Sequence, residues 1–135
     1  MNLEHTKIVE DCAQGSLAGT LTFPEVVGRL AAIGVERYHA DYSREEITYY
    51  WVNGDSHVVK LPHPPETIAQ EFSAAGVAAA VRQSQQGEHT YVDFLRKTMA
   101  AGCVGYFVQI TGRQAIYFGR LGDSHVEKFP PAPID

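Results

Sequence analysis

A five-residue run, Gly54-Asp55-Ser56-His57-Val58, recurs as Gly122-Asp123-Ser124-His125-Val126, 68 residues further along a chain of 135. Laying the chain on itself at that offset pairs Thr22–Pro62 with Thr90–Pro130 without a gap. Twelve of the 41 pairs are identical: the run itself, Thr22/Thr90, Ala32/Ala100, Gly34/Gly102, Tyr38/Tyr106, Tyr49/Tyr117, Lys60/Lys128 and Pro62/Pro130. Ser16/Ser84 and Gly19/Gly87 extend the match upstream. A fixed period outranks other fold signals. The chain therefore reads as one domain of two pseudo-symmetric copies, about 1–62 and 66–130, joined by the Pro-rich stretch Pro62–Glu66. Two units are too few for a solenoid, so a compact pair around a joint core is expected.

Each copy opens with two predicted helices. Val9, Cys12, Ala13 and Ser16 form a small-residue stripe on a helix from Glu4 to Ala18, and Val77, Ala80, Val81 and Ser84 repeat it. Gly19 and Gly87 then stop these helices. Thr22 with Glu25, and Thr90 with Asp93, have the spacing of a capping box that opens the second helix. Phe23, Val26, Val27 and Leu30 form its apolar face, matched by Tyr91, Phe94, Leu95 and Thr98. Gly34-Val35 and Gly102-Cys103 end it, glycine followed by a hydrophobe. A further helix is expected over Thr67–Phe72, with Pro65 near its start, and the Ala-rich run Ala74–Val81 is helix-prone.

Three strands follow in each copy. Tyr38, Ala40 and Tyr42 alternate with Arg37, His39 and Asp41, and the first set should face the helices. The second strand, Ile47–Val52 and Ala115–Arg120, is aromatic-rich and shows no clean polar side. Asn53-Gly54-Asp55 and Gly122-Asp123 read as tight hairpin turns, and Ser56–Leu61 and Ser124–Phe129 as third strands. Short hairpin links make neighbouring strands antiparallel. The expected class is α+β, with six antiparallel strands and about four helices mainly on one face. Whether the two strand triplets form one sheet is left open. The tail Pro130-Pro131-Ala132-Pro133 is read as a surface strap.

The repeated block holds the residue types of a hydrolase triad, but on a strand Asp55 and His57 share a face while Ser56 points away. No GxSxG elbow accompanies it. If a twofold axis ran near both turns, Asp55, His57, Asp123 and His125 could instead converge on a transition metal. The reading preferred here is structural: aspartate and serine satisfy turn backbone groups while histidine starts the strand. His39 and Asp41 are placed on the non-core face near Tyr50 and Trp51, where aromatics and a few polar groups could line a ligand pocket. The candidate binding residues are thus His39, Asp41, Tyr50, Trp51, Asp55, His57, Asp123 and His125, with no catalytic residue, metal or cofactor assigned. His5, His63 and His89 are expected to be solvated. Cys12 and Cys103 do not correspond under the repeat and fit small buried apolar positions.

The net charge of −5 argues against a general nucleic-acid or anionic-membrane binder, since phosphate neutralisation needs clustered Lys and Arg. No basic-then-apolar leader and no membrane-length apolar run is present, so a cytoplasmic home is expected.

The run Phe23-Pro-Glu-Val-Val-Gly-Arg-Leu-Ala-Ala-Ile-Gly-Val-Glu-Arg-Tyr38 resembles the first half of the YbcV-like family of small bacterial proteins. Gln86–Phe94, with Ala100-Ala-Gly-Cys-Val-Gly-Tyr106, resembles its second half, and the likeness spans Thr22–Lys128. The resemblance implies a bacterial, often prophage-encoded protein, sometimes labelled a phage envelope protein. It supplies no activity, cofactor or catalytic residue. Cys103 stands where the family keeps valine, and the duplicated turn is not a family hallmark.

The leading expectation is a non-catalytic binding or protein-interaction module that uses the sheet face or the seam between copies. Its partner is a small molecule or a protein, with homodimerisation open. The alternative is a small metal-dependent or acid–base enzyme built on the duplicated Asp-Ser-His turns. A phage structural role follows from the resemblance alone.

Overall fold

A computed structural model describes residues 2–130; of the expected strap, Pro131-Ala132-Pro133 lies outside them. The first copy runs α1 (Leu3–Ala18), α2 (Phe23–Ala32), β1 (Val35–Asp41), β2 (Glu46–Trp51) and β3 (Ser56–Lys60). The second runs α3 (Ala74–Gln85), α4 (Tyr91–Ala100), β4 (Cys103–Gln109), β5 (Gln114–Gly119) and β6 (Ser124–Lys128). The six strands form one antiparallel sheet in the order β3-β2-β1-β4-β5-β6. The fold is α+β, and the helix-helix-strand-strand-strand unit appears twice.

The duplication extends to the register. β1 pairs with β4 so that His39 faces Phe107, its own repeat equivalent, while Tyr38 faces Val108 and Ala40 faces Tyr106. Every pair in β1–β2 and β2–β3 reappears 68 positions on in β4–β5 and β5–β6, including an irregularity at the start of each copy's first strand. A local twofold axis therefore passes between His39 and Phe107. An axis normal to the sheet reverses strand direction, which makes the central pair antiparallel.

Local chemistry repeats as well. Thr22 and Thr90 both close capping boxes, with Glu25 and Asp93 returning to the cap N–H. The threonine backbone N–H is the main influence holding both carboxyls below their usual values. Glu46 is held low by Lys60 first and Arg44 second. A carboxylate with a depressed folded pKa stabilises the fold above its unfolded value, here about 3.8–4.5, and that gain fades as pH falls through the folded value. The urea midpoint is thus expected to hold steady near neutrality and drop below about pH 4.5, and the double variant Glu25→Gln/Asp93→Asn should flatten the drop.

The core lies between the sheet and the helices. Tyr38, Tyr42, Tyr49, Tyr106 and Tyr117 are buried with Phe94, Leu30 and Met99, and Tyr49, Tyr38, Tyr106 and Tyr117 form a chain of ring contacts, tilted within each copy and edge-on across the twofold. Thr98, fully buried on α4, donates to the Phe94 carbonyl at 2.9 Å, so the Tyr42 hydroxyl donates to Thr98 Oγ1 at 2.8 Å. This polar contact joins the two copies, and at the matching positions Ile110 and Leu30 are both buried and apolar. Thr98→Val leaves the Tyr42 hydroxyl without its acceptor and is expected to lower stability by about 1–3 kcal/mol. Adding Tyr42→Phe should recover most of that loss in urea unfolding.

Three expectations change. Residues 67–72 are not helical but run as an extended strap, held by Ala69 N–H on the Met99 carbonyl and Ser73 N–H on the Ala101 carbonyl. Backbone bonding to the end of α4 overrides local helix preference there. The second strand does alternate: Ile47, Tyr49 and Trp51 are buried while Glu46, Thr48 and Tyr50 are half-buried. Two of the histidines expected in solvent are held: His89 bonds the Ser84 hydroxyl at 2.7 Å, and the half-buried His63 ring bonds the Pro64 carbonyl through Nδ1 at 3.1 Å.

Candidate functional site

The eight sequence candidates fall in four places rather than one. His39, Asp41 and Tyr50 lie on the sheet face opposite the helices, where β1's alternation placed His39 and Asp41. Trp51 belongs to the core side, 6% exposed, with its indole N–H donating to the Ile33 carbonyl at 3.0 Å. It does not join the His39 cluster, because adjacent residues of a strand point to opposite faces.

The two Asp-Ser-His turns do not converge. They open β3 and β6, the outermost strands on opposite edges of the sheet, so five strand spacings, about 24 Å, separate them across the sheet alone. The four-residue metal arrangement is therefore not formed. Each histidine faces the helix side and takes a carboxylate of its own. His57 Nε2 sits 3.2 Å from Glu10 of α1, and His125 pairs with Glu127 two residues along β6. The repeat equivalents of Glu10 and Glu127 are Ala78 and Val59, so the partner has moved from helix to strand between copies. Asp123 is exposed at its turn. The Asp55 carboxylate accepts from the Asn53 side chain, and the Asp55 N–H donates to the Asn53 amide oxygen at 2.9 Å, so the turn N–H is met by Asn53 rather than by the expected aspartate.

The nucleophiles in the core are quenched. Burial raises the Cys12 and Cys103 thiols above their usual values. Desolvation likewise raises Tyr38, Tyr42 and Tyr106, and pushes Tyr91, bonded to Tyr106 at 2.7 Å, up to about 12. Near neutral pH none of these groups is ready to attack a substrate.

The helix-free face has a different character. One row crosses all six strands: Val58, Thr48, His39, Phe107, Ile116 and Val126. His39 stacks on Phe107 with centroids 4.4 Å apart and planes 12° apart, and Phe118 meets Phe107 edge-on. On one flank Arg37 lies over the Tyr50 ring, 4.3 Å from its centroid. On the other flank sit Asp41 and Glu46, the latter tied to Arg44 and Lys60. Val58 and Val126 at the two ends are 48% and 44% exposed. The apolar half of this face, Phe107, Ile116 and Phe118, was not among the sequence candidates. Its signal was present, since β4 and β5 carry hydrophobes at both parities.

A groove of about 370 Å³ opens at one corner, between Asn2 and His5 at the start of α1, Gly34 after α2, and Trp51, Val52 and Asp55 at the β2–β3 turn. Two sequence candidates, Trp51 and Asp55, meet here. Gly34 and Val52 were missed as lining residues, because nothing in their spacing marks a cavity.

Among the described residues no group of three or more His, Cys, Asp and Glu side chains is placed to hold a metal ion, and no helix is long and apolar enough to cross a membrane. A family model described as "Protein of unknown function (DUF1398)" matches residues 17–126. No curated protein matches the chain.

Proposed function

The chain belongs to the DUF1398 family, and we propose that it is a protein-interaction module whose helix-free sheet face docks onto the same face of a second copy. One observation carries this reading. The six-stranded sheet places its helices against one side, and the other side bears an apolar and aromatic row through its centre. Half-buried Phe107, Ile116 and Phe118 gain most from losing their remaining water contact.

Charge placement supports a second copy as the partner. A twofold axis along the central row lays that row on itself and exchanges the two flanks. Arg37 then faces Asp41 of the other copy. Asp41 uses Oδ1 for the Ser43 and Arg44 N–H groups, leaving its second oxygen for that contact. On strand and residue spacing the face measures about 29 by 20 Å, so about 1,200 Å² would be buried between two copies, the low end for specific interfaces. A reversible dimer fits that size, with the sheets crossing at about 30°.

Sedimentation velocity over a concentration series tests this. Association in the micromolar range is expected, weakened at least about tenfold by Phe107→Lys and partly by Arg37→Glu, with thermal midpoints little changed because both positions lie outside the core. A chain that stays monomeric at near-millimolar concentration contradicts the reading. Two free buried thiols suit a reducing compartment and support a cytoplasmic home. The YbcV-like resemblance supports a prophage setting, which the neighbourhood of the gene would test.

A further inference from the structure

The two copies also part company in the segment before their first helix, and that difference leaves a groove open. In the second copy the strap Ile68–Ser73 lies across the end of α4 and the β5–β6 turn. Ala69 N–H bonds the Met99 carbonyl at 3.0 Å, Ser73 N–H bonds the Ala101 carbonyl at 2.7 Å, and Arg120 donates to the Ile68 carbonyl at 2.8 Å. The Phe72 ring rests on Gly119, where an added Cβ would lie 2.9 Å from it, and the Glu71 carbonyl occupies the space of a Cβ on Gly102.

In the first copy the positions matching Glu71–Ser73 are the first turn of α1, which starts at Leu3, whereas α3 starts only at Ala74. Among the described residues no strap covers the equivalent groove. Trp51, at the position matching Gly119, fills part of it with its own side chain. Its indole takes the place of Phe72, and its N–H reaches the Ile33 carbonyl that matches Ala101. The rest stays open as the 370 Å³ groove over Gly34. A Cβ on Gly34 would meet only Trp51, at 3.7 Å. The Ala31 carbonyl accepts Gly34 N–H at 3.1 Å, as Met99 accepts Gly102 N–H, but lacks the second donor that Ala69 supplies.

We propose that this groove is a docking site for an extended segment of another polypeptide, seated as residues 68–72 are seated in the second copy, the place matching Ser73 being held by His5 of α1. Its backbone N–H would bond the Ala31 carbonyl, one of its carbonyls would lie over Gly34, and the residue above Trp51 would be small. The site is separate from the sheet face and does not depend on dimerisation.

Trp51 is the single tryptophan of the chain and forms the groove wall, so its emission reports occupancy. The probe is a peptide copying residues 66–73 with Phe72→Ala, because Trp51 already fills the ring's space. A saturable emission change at high micromolar peptide is expected, absent with a scrambled peptide and weaker when Phe72 is retained. Gly34→Ala should abolish it. Val52→Arg, at a position 73% exposed, restores the donor that Arg120 provides and should tighten binding about tenfold, the scale of a charge-assisted hydrogen bond. Phe107→Lys should leave it unchanged. An equal response to the scrambled peptide, or none with either wild type or Val52→Arg, overturns the proposal. An emission change that follows protein concentration without peptide also overturns it, by seating a second copy in the groove.

Discussion

Gly102→Ala is expected to lower stability by about 2–5 kcal/mol, while Gly34→Ala, its repeat equivalent, costs only about 1–2 kcal/mol. Both glycines have the same backbone, φ +85° and +84°, so the left-handed strain of a Cβ is common to both. The difference is in what the Cβ meets. At Gly102 it runs into the Glu71 carbonyl and lies 2.9 Å from Phe72 Cα, which are backbone atoms pinned on both sides by Ala69 and Ser73. At Gly34 it points into the open groove. Urea unfolding of the two variants reads the gap directly, and equal losses would mean that the strap is not seated as described.

The second large effect is at Trp51. Trp51→Ala removes a buried ring and the donor to the Ile33 carbonyl, with an expected loss of about 3–5 kcal/mol. Phe72→Ala, at the position that fills the same space in the other copy, should cost less, because Phe72 is half-exposed. Gly119→Trp, which copies Trp51 into the second half, has no room beside Phe72 and should unfold or eject the strap. Guanidinium unfolding of the three variants, with limited proteolysis of residues 62–73, distinguishes these outcomes. A Trp51→Ala loss below about 1 kcal/mol would contradict the packing assigned to the indole.

Much of this architecture is written in the repeat. The capping boxes at Thr22 and Thr90, the turns at Gly54 and Gly122, and the facing of Tyr38 and His39 follow from local chemistry that either copy shows alone. What joins the copies is not local. β1 has the same alternation whether it ends a three-stranded sheet or pairs with β4, so the single sheet, and with it the distance between the two Asp-Ser-His turns, could not be read from periodicity. The strap was misread as helix because Thr67–Phe72 contains no breaker, and the bonds that extend it come from α4's carbonyls. Trp51 was grouped with Tyr50 because an aromatic run hides a period of two. The groove was invisible for a related reason: it exists only because α1 begins three positions earlier than its counterpart.

The pairing of His39 with Phe107 carries the symmetry, and cysteine trapping tests it most directly. Residues directly opposite in an antiparallel ladder lie about 4.5–5.5 Å apart at Cα, within disulfide reach. A His39→Cys/Phe107→Cys chain, oxidised at low concentration and mapped by peptide mass spectrometry, should form that bond within one chain, while His39→Cys/Gln109→Cys should not. A bond only in the second variant, or only between chains, would contradict a twofold axis between these residues.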